Sequence, residues 1–165
     1  MRIEWMEYDM ARAERFITEN QVDEGLLILN NLLFEEPGYG SLHNHLGWAH
    51  FYFTGDWNKA ELHFQMAIKF DSNFAPAYLH LGNLYNRKEL YSMAIEKFNA
   101  GLQLQNANKP AFLEGIAQAY EMKRAFGRAI KFYKEAIATS AGFEVDRLRQ
   151  GIKRCRTKRW VLLLS

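Results

Sequence analysis

With 165 residues, 48% of them hydrophobic, 24% charged and only 3 proline, the chain has the composition of one folded domain and is too apolar to be disordered over most of its length. Its single cysteine, Cys155, excludes an internal disulfide framework. No run approaches the roughly 18 apolar residues of a membrane span, and the opening "MRIEWMEYDM" lacks a secretory apolar stretch, so a cytoplasmic protein is expected. The net charge of +2 hides a gradient: residues 1–39 carry nine acids against three bases (−6), and residues 143–165 seven bases against two acids (+5).

Taken in order, the chain alternates two kinds of short amphipathic unit. "RAERF", from Arg12, precedes "EGLLILNNLL" over residues 24–33, and the turn signal "EEPGYGS" closes the pair. "LGWAHF", from Leu46, is followed by the polar break "TGDW" and then "KAELHFQMAI" over 59–68. "FDSNFAP" offers Asp71 and Ser72 as helix caps before Pro76; "LGNLY", from Leu81, leads through "NRKE" to "MAIEKFNAGL" over 93–102. "NANKP" offers asparagine caps and Pro110 for a first helical turn, before "IAQAY" from Ile116 and "RAIKFYKEAI" over 128–137. Apolar spacings of three and four predict helices throughout, and breaks this short force neighbouring helices to run antiparallel.

The second units superpose without gaps. Gly25, Ala60, Ala94 and Ala129 share one column, with steps of 35, 34 and 35. Leu29, Phe64, Phe98 and Tyr133 share the next, and Leu32, Ala67, Gly101 and Ala136 a third. Small residues let two helix axes approach, and an aromatic fills the space beside them. Small residue, aromatic, small residue at this period is the pattern of the tetratricopeptide repeat, which the chain resembles from about residue 7 to residue 142. The unit containing Tyr78, Leu81, Gly82, Tyr85, Ala94, Phe98 and Gly101 matches best. The second unit carries one extra residue between Gly47 and Gly55, the first has Asp9 where a large apolar residue is usual, and the fourth has Ala117 for a frequent glycine.

That resemblance implies an all-α, right-handed α-solenoid of about four helix-turn-helix repeats, near residues 6–39, 40–74, 75–109 and 110–143, in a single domain over 1–165. A basic capping helix over 144–160 follows, packing through Val145, Leu148, Ile152 and Cys155 while Arg147, Lys153, Arg154, Arg156 and Lys158 largely face water. The apolar tail over 161–165 is expected to fold back or to dock on another chain.

The resemblance also implies a concave groove, lined by the first helices, that binds a peptide or helix of a partner protein. Registered against one another, those helices place Asn44, His45, Trp48 and Tyr52 on it, then Leu79, His80, Asn83, Asn86 and Arg87, then Glu114, Gln118 and Glu121. A non-catalytic scaffold or adaptor is the reading, with a secretion or assembly chaperone holding an unfolded segment as the alternative. Nucleic-acid binding through the basic helix ranks lower, and head-to-tail association of the acidic and basic ends is open. The inner positions Met10, Glu14, His45, Pro76, His80, Ala111 and Gly115 offer no lysine or arginine, which argues against a clamp for chaperone carboxylates.

Chemistry is expected to be absent, with no cofactor and no metal. His43 and His45 in "HNH" point to nearly opposite sides of a helix, and His50, His63 and His80 do not follow them at ligand spacing. No phosphate loop, nucleophile elbow or CxxC occurs; Glu35 and Glu36 read as solvated charge in a turn, and Cys155 as a small buried hydrophobe.

Overall fold

The structure, a computed structural model, describes residues 2–164. Among these residues the chain forms nine α-helices and no strand: α1 (Arg2–Thr18), α2 (Val22–Glu35), α3 (Gly40–Ala49), α4 (Trp57–Phe70), α5 (Ala75–Arg87), α6 (Tyr91–Leu102), α7 (Lys109–Met122), α8 (Phe126–Thr139) and α9 (Val145–Leu164). No helix of the described residues is long and apolar enough to cross a membrane. The chain divides into two compact units, Met1–His80 and Leu81–Ser165, with the division inside α5.

In the first unit Met6, Met10, Ala13 and Ile17 of α1 meet Leu29 and Leu32 of α2 and Leu42, Leu46 and Ala49 of α3 in one core. Asp9, the departure from the repeat pattern, is 7% exposed and pairs with Arg12 at 3.1 Å, which satisfies its charge where an apolar residue would have packed. In the second unit the core joins Leu113 and Ala117 of α7, Phe126, Ala129, Tyr133 and Ala136 of α8, and Leu148, Ile152 and Cys155 of α9.

The glycines explain why the columns are rigid. A Cβ on Gly47 would come within 2.6 Å of the Phe64 ring, and one on Gly82 within 2.4 Å of Phe98. Phe98 is held from a second side as well, since a Cβ on Gly115 of α7 would come within 2.5 Å of it. Gly151 of α9 stands in the same way to Tyr133 of α8, at 2.6 Å. Helix α9 therefore packs on α8 as α7 packs on the aromatic of α6: it takes the place of a further first helix.

Each helix pair also turns through a left-handed residue. Asn20, Gly55, Glu89 and Arg124 have φ of 67°, 72°, 60° and 58°, and they recur in step with the small-residue column. Three of these turns close with the same helix-ending bond, from Gln21 N to Phe16 O, Leu90 N to Tyr85 O and Ala125 N to Tyr120 O, at 2.8, 2.9 and 2.9 Å. The turn at Gly55 differs. There the extra residue of the second repeat is absorbed by a π-helical turn, His50–Thr54, that continues α3.

Two local expectations resolve differently from one another. Asn108 caps α7, its side chain accepting from Ala111 N at 3.3 Å, with Pro110 in the first turn. Asp71 instead ends α4 and accepts from Asn73 N at 3.0 Å, so it closes a turn rather than starting α5. The apolar tail after Trp160 does not fold back: α9 continues to Leu164, with Trp160, Val161 and Leu162 65%, 61% and 49% exposed, and Ser165 lies outside the described residues.

Candidate partner-binding surface

The first-unit candidates lie on α3, on the π-turn and at the start of α5. Trp48 is not a free anchor: it is partly buried against the core of α1–α3, and its ring lies 4.8 Å from that of Phe53. Tyr52 is 50% exposed and meets His80 edge-on at 6.0 Å. His80 stacks on Phe64 at 5.5 Å and 14°, and Leu79 beside it is partly buried. Burial, and secondarily the proximity of His45, pushes the His80 imidazole down to about 4, so the ring is neutral. Asn44 is 7% exposed, deeper than a surface position should be. Both Asn44 Oδ1 and His80 Nδ1 are buried without a hydrogen-bond partner. His45 donates Nδ1–H to Ser41 O at 2.9 Å and turns Nε2 toward Glu14, 3.9 Å away.

His43 does point away from His45, as the spacing predicts, but into company that the sequence did not reveal. Its Nδ1 lies 3.0 Å from Nδ1 of His63, while Nε2 lies 2.9 Å from Pro37 O. A carbonyl can only accept, so His43 carries its proton on Nε2 and receives the Nδ1–H of His63. His50 stacks on His63 at 5.9 Å. Burial first, then the charges of His43, His50 and Lys59, push His63 down to about 4. Burial also lowers His50, whose Nδ1 bonds to Thr54 Oγ1 at 3.1 Å. Among the described residues no group of three or more His, Cys, Asp or Glu side chains converges as metal ligands would.

The second-unit candidates separate. Asn83 and Asn86 are partly buried and Arg87 is exposed. Asn86 donates Nδ2–H to Gly115 O at 3.2 Å, and its Oδ1 is buried without a partner. Glu114 and Glu121, expected on an open surface, are 9% and 6% exposed. The cations of α9 are exposed, as expected, yet they also neutralise these acids: Arg147 reaches Glu114 at 2.6 Å, and Arg154 and Lys158 reach Glu121 at 3.1 and 2.9 Å. Gln118, itself exposed, donates to Glu114 at 3.3 Å. Lys153 and Arg156 remain exposed. The burial of the two acids has a simple cause: α9 lays its charges along α7.

Tyr133, placed by the sequence only as packing, joins this network by donating its hydroxyl to Glu121 at 3.0 Å. Burial alone would raise Glu121, but the bonds from Arg154, Lys158 and Tyr133 outweigh it and hold the carboxyl near 2. Burial, and then Glu121, pushes the Cys155 thiol up to about 11, which leaves it a protonated core side chain.

Paired helices, recurring left-handed turns and glycine–aromatic seams define a helical repeat protein. No family model and no curated protein sequence matches the chain. Solved structures do. TTC0263 of Thermus thermophilus, a thermophilic TPR protein, is 18% identical with a TM-score of 0.76 over 92% of this chain and 81% of that one. The Arabidopsis OM64 TPR domain is 18% identical with a TM-score of 0.64 over 72% and 94%. PilF of Pseudomonas aeruginosa is 12% identical with a TM-score of 0.86 over 98% and 72%. The chain has the tetratricopeptide-repeat fold.

Proposed function

We propose that the protein is a non-catalytic scaffold that takes an extended segment of another protein on the face formed by α3, the π-turn and the start of α5. One observation carries this reading. Asn44 Oδ1, an acceptor, and His80 Nδ1, a ring nitrogen, are buried without partners, and half-exposed Tyr52 stands beside His80. Each such group costs roughly 1–3 kcal/mol until a hydrogen-bond partner reaches it. The amide oxygen calls for an N–H donor and the ring nitrogen for a donor or an acceptor according to its tautomer; the backbone of an extended peptide supplies both, while Tyr52 gives an aromatic contact of the kind that dominates interface energy. The fold supports the reading, because a repeat array presents successive first helices side by side.

The test is selection of extended peptides from a display library against the intact protein, followed by Asn44→Ala with His80→Phe. Affinity for the selected peptides should fall about tenfold or more, with helicity unchanged by circular dichroism. Undiminished binding in the double variant would place the interface elsewhere. Pairing of Arg147, Arg154 and Lys158 with acids removes much of the free positive charge on which a nucleic-acid reading depended.

A further inference from the structure

The second unit contains an open hollow of about 440 Å³ whose lining includes Arg124, Arg128, Arg159, Phe126 and Leu162, and no acid. Its arginines contrast with their neighbours on α9. Arg154 and Lys158 share Glu121, but among the described residues neither Arg124 nor Arg159 has an acidic partner, and Arg128 has only the Tyr120 ring at 5.5 Å. Three cations gathered without a counter-charge repel one another. Their position adds to the imbalance, because Arg124 and Arg128 flank the start of α8, which has no acid in its first turn and no side-chain cap. The helix macrodipole puts partial positive charge at that end already.

The first unit carries the opposite arrangement. Helix α2 ends on Glu35 with Glu36 as its C-cap and no base in the last turn, so acids stand at the negative end of the dipole. Phe34, beside them, is 91% exposed, and Leu27, two turns earlier on the same face, is 62% exposed. Glu35 has no ion-pair partner among the described residues. Phe34 and Leu27 together leave an exposed apolar strip next to an unneutralised acid.

We propose that the Phe34–Glu35 end of α2 docks into the Arg124–Arg128–Arg159 hollow of a second copy of this chain. Phe34 would enter against Phe126 and Leu162, Glu35 would meet the arginines, and the negative end of α2 would face the positive end of α8. Each copy's misplaced charges are what the other copy lacks, in keeping with the −6 of residues 1–39 and the +5 of residues 143–165. The two surfaces are different, so the contact is heterologous: every copy joined at one surface keeps the other free, and association continues until it closes or is capped. This goes beyond peptide binding and does not depend on it.

Sedimentation velocity on the full chain tests the idea. The wild-type mass should rise with concentration at low salt and fall back at high salt. Phe34→Ala with Glu35→Gln should weaken association about tenfold or more, and so should Arg124→Gln with Arg159→Gln. The decisive sample is their mixture. Each variant retains one intact surface, so together they should form one-to-one dimers that grow no further. A wild-type chain that stays monomeric at low salt overturns the proposal. So does undiminished association in either variant, or a mixture that fails to dimerise. All four positions are exposed, and equal helicity by circular dichroism confirms that the variants fold; if either double variant loses helicity, the single changes Glu35→Gln and Arg159→Gln replace it.

Discussion

The two units use one column of the repeat in opposite ways. His45, His80, Gly115 and Gly151 recur at steps of 35, 35 and 36. In the first unit the column holds imidazoles, and His80 stacks flat on Phe64. In the second it holds glycines, and the rings of Phe98 and Tyr133 close directly on the backbones of α7 and α9. The first arrangement keeps polar atoms in a buried seam, two of which have no partner nearby. The second fills the seam with ring and backbone, sets its buried acids against the cations of α9, and leaves one acceptor, Asn86 Oδ1, without a partner. One architecture thus gives a seam that holds stacked imidazoles and a seam closed by rings against glycine backbone.

Exchanging the column residues breaks this comparison most severely. Gly115→His places a side chain where even a Cβ would lie 2.5 Å from Phe98, itself fully buried and already confined by Gly82. Urea unfolding should show a loss of about 3 kcal/mol. The reverse change, His80→Gly, leaves Phe64 without its stacked neighbour and should cost about 2 kcal/mol, mostly as cavity. If both changes fall within experimental error of wild type, the seam is not what fixes the helix spacing.

Acid sharpens the comparison, because the two units should respond in different windows. His63 and His80 titrate near 4 when folded, below the roughly 6.5 of an unfolded histidine. As pH falls from about 6.5 to about 4, the unfolded chain binds protons that the folded chain refuses, so stability complete above that window declines through it. The loss should be about 2 kcal/mol, since the surroundings relax around a protonated ring. Glu121 behaves oppositely. Its folded carboxyl titrates near 2, below the ordinary 4.5, so its contribution is intact above 4.5 and disappears only as pH drops toward 2. Hydrogen exchange at pH 5 should therefore loosen amides of α3 and α4 while those of α7 and α9 keep their protection. Equal loosening of both would show that the buried imidazoles are not the acid-sensitive groups.

The sequence revealed the part of this that repeats. Columns of small and aromatic residues gave helix pairs and their seams, because close helix packing imposes a local rule that recurs at a fixed period. The extra residue of the second repeat was visible too, though not its form as a π-turn. What stayed hidden depends on contacts between segments far apart in the chain. Glu114 and Glu121 are 33 residues from the arginines that neutralise them, and His43 is 20 from His63. Neither distance is a helical spacing, so no periodicity announces it. Gly151 was the missed signal: it continues the column of His80 and Gly115, and would have marked α9 as a further first helix.

The smallest effect concerns the turns, where the units are most alike. Glu89 and Arg124 hold left-handed backbone without being glycine, while Gly55 occupies the corresponding position of the π-turn. For a residue bearing a Cβ this conformation costs roughly 1–2 kcal/mol. Glycine removes that strain but has more freedom to lose on folding, roughly 0.5–1 kcal/mol. Glu89→Gly should therefore stabilise the protein slightly, by about 0.5 kcal/mol, measurable as a small rise in the urea midpoint with unchanged slope. Glu89 is exposed, so the comparison is free of packing changes. A lower midpoint would mean that the Glu89 side chain contributes more to the turn than its backbone strain takes away, and that the turns, like the seams, are individually adapted.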